Sequence, residues 1–182
     1  MPVIVVGGTG RGVGKTAFVC ELIAAYSTFG WTAVKISTHL HGKPEPIREE
    51  LQGGQGTDTE RYLAAGARRA LLVTAPLEEF PLRAMQAAIG PAANIIFESN
   101  RILAHWQPDL CIGILGGSGD DFKPSFEVFF RLADAFVIGR STDTSLLHLT
   151  AGTPVFRLDE PNRLSLEMRT WLASKITPPE SS

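Results

Sequence analysis

The sequence predicts an α/β fold, a mostly parallel sheet with helices on both faces, and two observations carry that prediction. Short apolar runs alternate with longer stretches of helical period. A glycine-rich segment, GGTGRGVGKT at residues 7–16, stands between the first apolar run and the first helix. The apolar runs fall at residues 3–6, 32–36, 70–73, 94–98, 110–115, 135–138 and 154–156. Most are apolar throughout, the pattern of strands buried on both faces. Helical period is clearest at residues 15–29, where Phe18, Leu22, Ala25, Tyr26 and Phe29 share a stripe and Gly30 stops the helix. Further helices are expected near residues 57–65, 77–89, 125–132 and 164–176, each leading to another strand or to the chain end. Such alternation needs helical crossovers, which make neighbouring strands parallel.

A length of 182 residues suits one domain, placed at residues 1–176, followed by a flexible tail, TPPESS, at 177–182. With 44% hydrophobic and 20% charged residues and a formal net charge of -2, the chain is of ordinary globular composition, which argues against a nucleic-acid or membrane partner. The first apolar run is far shorter than the ~20 residues of a membrane span, and no basic residue precedes it as in a signal peptide, so the expected location is the cytoplasm. Cys20 and Cys111 both sit in apolar runs and read as free thiols of a reducing compartment.

One long stretch breaks the rhythm. Residues 38–56 are polar, glycine-rich and interrupted by Pro44 and Pro46, with no sustained period, and are expected to form a mobile functional loop.

Strand, glycine loop and helix in that order form the context in which GGTGRGVGKT binds phosphate. Gly8, Gly10, Gly12 and Gly14 would let backbone N–H groups of the loop, including those of Arg11, Val13 and Ala17, crowd an anion without an intervening Cβ. Lys15 would reach the outer phosphates, and the Thr16 hydroxyl would take one position on Mg²⁺. The helix dipole adds its positive end. Thr9 stands where the usual G-x-x-x-x-G-K-[ST] spacing has glycine, with Gly8 one residue earlier, and dethiobiotin synthetase-like ATPases resemble the chain in this G-T-x-x-G-V-G-K-T run. The segment therefore predicts a P-loop NTPase that binds GTP or ATP; no N-K-x-D sequence reads guanine. Arg11 projects from the same loop, either toward phosphate or a partner subunit's nucleotide, or as a solvated charge.

A P-loop site needs a carboxylate at the end of a neighbouring buried strand. Glu98 ends NIIFE and is the candidate metal ligand and catalytic acid beside Lys15, against a structural salt bridge. Asp58, in GTDTERY, is the second metal candidate, against a plain helix N-cap. Lys35, in TAVKIS, is placed to meet a phosphate or substrate carboxylate, against a surface role. His39 and His41 alternate along an extended stretch and fit substrate contact or exposure better than a metal pair. His105 and His148 are isolated and read as packing or surface residues. GGSGDD at 116–121 also borders the expected crevice and reads as a solvated turn.

These residues resemble the molybdopterin-guanine dinucleotide biosynthesis protein B family over essentially the whole chain. The similarity rests on GRGVGKT at 10–16, AVKISTHLH at 33–41, GTDTERYLAAGA at 56–67, similar to G-x-D-[ST]-x-R-x-x-x-A-G-A, and the acid-ended strand IIFES. Ser99 and Asn100 follow Glu98 where the family has glycine, and its histidine run is thinned to His39 and His41. The resemblance implies a weak, homodimeric GTPase that assists attachment of the guanine nucleotide to molybdenum cofactor, with molybdopterin or its guanylyltransferase as partner. The alternatives are an ATP-dependent ligase or kinase of dethiobiotin synthetase style and a non-catalytic, nucleotide-dependent cofactor chaperone.

Overall fold

The computed structural model describes residues 1–38, 46–75, 80–91, 94–116, 123–139, 147–148, 150, 152–159 and 163–176. His39 and His41, the acids of GGSGDD and the tail at 177–182 lie outside the described residues. Among the described residues, eight strands form one sheet: β1 (Val3–Gly8), β2 (Thr32–Ser37), β3 (Ile47–Glu50), β4 (Arg69–Thr74), β5 (Ile95–Glu98), β6 (Leu110–Leu115), β7 (Ala135–Ile138) and β8 (Val155–Arg157). Their order is β3-β4-β2-β5-β1-β6-β7-β8. Every pairing is parallel except β3 with β4.

The helices are α1 (Lys15–Ala25), α2 (Asp58–Ala64), α3 (Leu82–Ile89), α4 (Phe129–Leu132) and α5 (Leu166–Lys175). Helix α1 is shorter than the expected 15–29, because the chain tightens into a 3₁₀ turn at Ser27–Phe29 before Gly30, whose φ of 59° closes it. Helices α1, α2 and α5 pack on one face through Phe18, Leu22, Tyr62, Met168 and Leu172. Met85 and Ile89 of α3 and Phe129 of α4 cover the other. Side chains alternate across each strand, so Ile4, Val6 and Ile96 meet the α1 layer while Val5, Ile95 and Phe97 meet the α3 layer. That double burial makes the strand runs continuously apolar.

The structure corrects the reading of residues 38–56 as an irregular loop. Residues 47–50 form an antiparallel edge strand in register with β4, Ile47 opposite Val73 and Glu50 opposite Ala70. Only Ile47 among the four strand residues is apolar; none of the four is fully buried and Arg48 and Glu49 are exposed, so this edge strand shows no hydrophobic period.

Among the described residues, no helix is long and apolar enough to cross a membrane.

Candidate functional site

The carboxyl ends of β1, β2 and β5 open into a cavity of about 730 Å³, the crevice where open α/β sheets bind ligands. Its floor is the turn from β1 into α1. Gly12 and Gly14 there adopt φ of 70° and 96°, left-handed conformations that favour glycine. Helix α1 starts at Gly14 with no capping side chain and no acid in its first turn, so its own sequence supplies no anion for its first amides. The ammonium of Lys15 donates to the carbonyl oxygen of Gly10. Burial lowers the Lys15 pKa to about 8, Lys35 and Lys123 pushing the same way and Glu98 opposing.

Strand parity brings the other groups here. Glu98 follows Ile96 by two and Lys35 follows Ala33 by two, so both emerge on the α1 face, and the β2–β5 register sets them directly opposite each other. The ammonium of Lys35 donates to Glu98 Oε1 and bonds Asp58 Oδ2 at 2.9 Å. The other Glu98 oxygen accepts from the Thr16 hydroxyl at 2.9 Å and from the Tyr62 hydroxyl. Glu98 is only 2% exposed, so these partners stand in for water around a buried charge.

Titration follows from that packing. Burial opposes the charge on Lys35, but Glu98 and the hydrogen bonds to Asp58 and Glu98 outweigh it and hold the ammonium above the ordinary lysine range. Burial likewise opposes ionisation of Asp58, and the hydrogen bond and charge of Lys35, the Thr16 hydroxyl and Arg61 overcome it, keeping the carboxyl below the usual range. Burial and then the Glu98 carboxylate push the Tyr62 hydroxyl well above its ordinary value, so it stays a donor.

Of the residues singled out in the sequence, the structure gathers Arg11, Gly12, Gly14, Lys15, Thr16, Ala17, Lys35, Asp58 and Glu98 around one cavity. Lys35 is no surface lysine, and Asp58 is not an N-cap: Thr57 caps α2 and Asp58 is its first residue. Gly8 needs correcting. It is the last residue of β1, and its N–H donates to Asn100 Oδ1 at 2.8 Å while its carbonyl accepts from Asn100 Nδ2 at 3.0 Å, so its amide holds the entry to the loop instead of facing an anion. Gly10 contributes its carbonyl to Lys15, and the Val13 side chain folds back over Gly8 and Gly116. Arg11 is exposed on the rim. Cys20 and Cys111 are free thiols, His105 is exposed and stacks on Phe80 with ring centroids 4.5 Å apart, and His148 is exposed.

Three site residues escaped the sequence reading. Thr9, 1% exposed, exchanges hydrogen bonds between its hydroxyl and the Gly116 backbone at 2.6 and 3.0 Å, latching the loop to the end of β6. Tyr62 lies four residues after Asp58 on one helix, a spacing that puts both on one face and is legible in the sequence. Asn100 had no such signal, because its partner Gly8 is 92 residues away.

Sheet order, glycine turn and the lysine and threonine that open α1 define the fold as that of P-loop NTPases. Solved structures agree. The chain is similar to HypB from Helicobacter pylori, determined in complex with nickel, with a TM-score of 0.60 and 16% identity over 94% of this chain and 86% of that one. It is also similar to LpxK from Aquifex aeolicus, determined with ATP, with a TM-score of 0.54 and 20% identity. That match covers 86% of this chain but only 53% of LpxK, so this chain spans about half of LpxK's length. No family model matches the sequence, and no curated protein matches it.

Proposed function

We propose that the chain binds a magnesium nucleoside triphosphate at residues 10–17 and hydrolyses it slowly, as a GTPase or related NTPase accessory to molybdopterin-guanine dinucleotide synthesis. The observation that carries the binding and hydrolysis is the uncapped start of α1 with Lys15 and Thr16, set against Glu98, Lys35 and Asp58 in one cavity. The molybdenum-cofactor role rests on the resemblance of GTDTERYLAAGA and its neighbours, and with it comes a homodimer; a cytoplasmic location rests instead on the short first apolar run and the free thiols Cys20 and Cys111.

The donor set suits a hard cation. Two carboxylates and a hydroxyl, all oxygen, converge around Lys35 and Glu98, with Asp58 and Glu98 on one ammonium and Thr16 on Glu98. Thr16, Asp58 and Glu98 would hold magnesium, which when bound neutralises charge on the outer phosphates. The amides of Gly12 to Ala17 would hold the phosphate oxygens, and Lys15 would turn from Gly10 to the outer phosphates. Glu98 would orient the attacking water, its position fixed by the Tyr62 hydroxyl. Position and charge, not covalent chemistry, do the work.

Calorimetry over a nucleotide panel, with and without molybdopterin, tests this. GTP binding strengthened by molybdopterin supports the whole reading; no nucleotide binding overturns it. A second reading, transfer to an acceptor, draws on the cavity's extension past the phosphate end to Ser37, Thr38, Ser99 and Arg101. Phosphate released from nucleotide alone favours hydrolysis, and release that waits for an acceptor favours transfer.

A further inference from the structure

We infer that Lys35 closes the carboxylate pair to divalent cations until a triphosphate draws its ammonium away, so that metal enters with nucleotide and not before it. The inference rests on the nucleotide-binding reading above and concerns the order in which that site fills. Its basis is geometric. One ammonium spans Asp58 Oδ2 and Glu98 Oε1, the two carboxylates that a cation at Thr16 would use. The remaining Glu98 oxygen is already committed to the Thr16 and Tyr62 hydroxyls. Direct pairing of Lys35 with Glu98 across β2 and β5 keeps the stem of the lysine beside the acid, so only a swing of its flexible chain releases the oxygens.

Charge sets the order. Among the described residues, Arg11, Lys15, Arg61, Arg101 and Lys123 line the same cavity and outnumber its two acids, so a bare divalent cation meets a positive field as well as an occupied pair of carboxylates. A triphosphate reverses both conditions, adding negative charge and offering Lys35 a new anionic partner. Metal and triphosphate affinities are then coupled, each raising the other by the same factor. A lysine that merely neutralised two acids for stability would not change metal affinity in this nucleotide-dependent way.

The test uses the full chain and Mn²⁺ alone, followed by electron paramagnetic resonance and calorimetry without nucleotide. Lys35→Met should bind one Mn²⁺ about tenfold or more tighter than the parent, since it removes a competing charge beside two carboxylates. Lys35→Arg, which keeps the charge, should stay like the parent. A non-hydrolysable triphosphate analogue should raise Mn²⁺ affinity more in the parent than in Lys35→Met, because phosphate oxygens ligate the ion in both and only the parent has a lysine to release. Should the unpaired acids weaken the fold of Lys35→Met, thermal unfolding reads the same effect: Mn²⁺ should raise the variant's Tm and leave the parent's unchanged. Equal Mn²⁺ affinity in parent and Lys35→Met, with no selective rise in Tm, overturns the role of Lys35 while leaving nucleotide binding intact. A parent that binds no nucleotide with or without metal overturns the functional proposal and this inference with it.

Discussion

Helices α1 and α2 both begin after glycine-rich turns, and they solve the problem of their first amides in opposite ways. At α2 the chain supplies its own anion: Thr57 accepts from the Glu60 amide, and the Glu60 carboxylate accepts from the amides of Gly56 at 2.8 Å and Thr57 at 3.1 Å. At α1 there is no capping side chain and no acid in the first turn, and a lysine and a threonine stand there instead. A capping box makes a helix start self-sufficient. A start without one leaves its positive end and free donors to a ligand. The difference is what the proposed function uses: of two turns rich in glycine, the one that lacks its own anion is the one proposed to take the nucleotide.

Breaking the α1 side should have the largest effect. Lys15→Ala removes the charged donor to the phosphates and should weaken nucleotide binding about a hundredfold or more, measured by calorimetry. Affinity within a few-fold of the parent would show that the loop does not hold a triphosphate.

Glu98→Gln comes next. It keeps the acceptor for Thr16 and Tyr62 but loses the charge, so nucleotide binding should survive while phosphate release slows by roughly a hundredfold. Unchanged turnover would discard Glu98 as the working acid.

Titration sharpens the same point. With the Lys15 pKa near 8 in the free protein, the ammonium is largely present below that value and lost above it. Bound phosphates favour the charged form and raise its pKa, so binding above about pH 8 takes up a proton and affinity falls by up to about tenfold per pH unit. Calorimetry in buffers of different ionisation enthalpy detects that proton; a flat profile from pH 7 to 9.5 counts against it.

The α2 side should respond least. Glu60→Ala strips the capping box and should lower stability by about 1 kcal/mol, read as a small drop in Tm, with nucleotide affinity nearly unchanged. A loss of binding comparable to that of Lys15→Ala would erase the distinction between the two helix starts.

The resemblance between the expected and observed core has a simple origin. Strands β1, β5, β6 and β7 are buried on both faces, so their apolar runs are visible without any partner. Strand β3 carries three charged residues in four, and its ladder with β4 together with the bond of Arg69 to Glu49, through two guanidinium nitrogens at 2.7 Å each, holds it as a strand. Gly8 shows the same limit within the site. As one glycine of a phosphate motif it looked like part of the cradle, but Asn100 takes its amide.

Order along the chain determined a good deal by itself: a glycine turn between strand and helix, a lysine and hydroxyl opening that helix, and an acid ending a buried run are local patterns, set by backbone freedom, helix periodicity and the cost of burying charge. The tertiary structure alone decided which distant groups share the cavity. Register placed Lys35 opposite Glu98, packing of α2 on the α1 layer delivered Asp58 and Tyr62, and Asn100 and Gly116 tied down Gly8 and Thr9. Those contacts join residues tens of positions apart, and only the sheet that brings them within hydrogen-bonding distance gives them an energy.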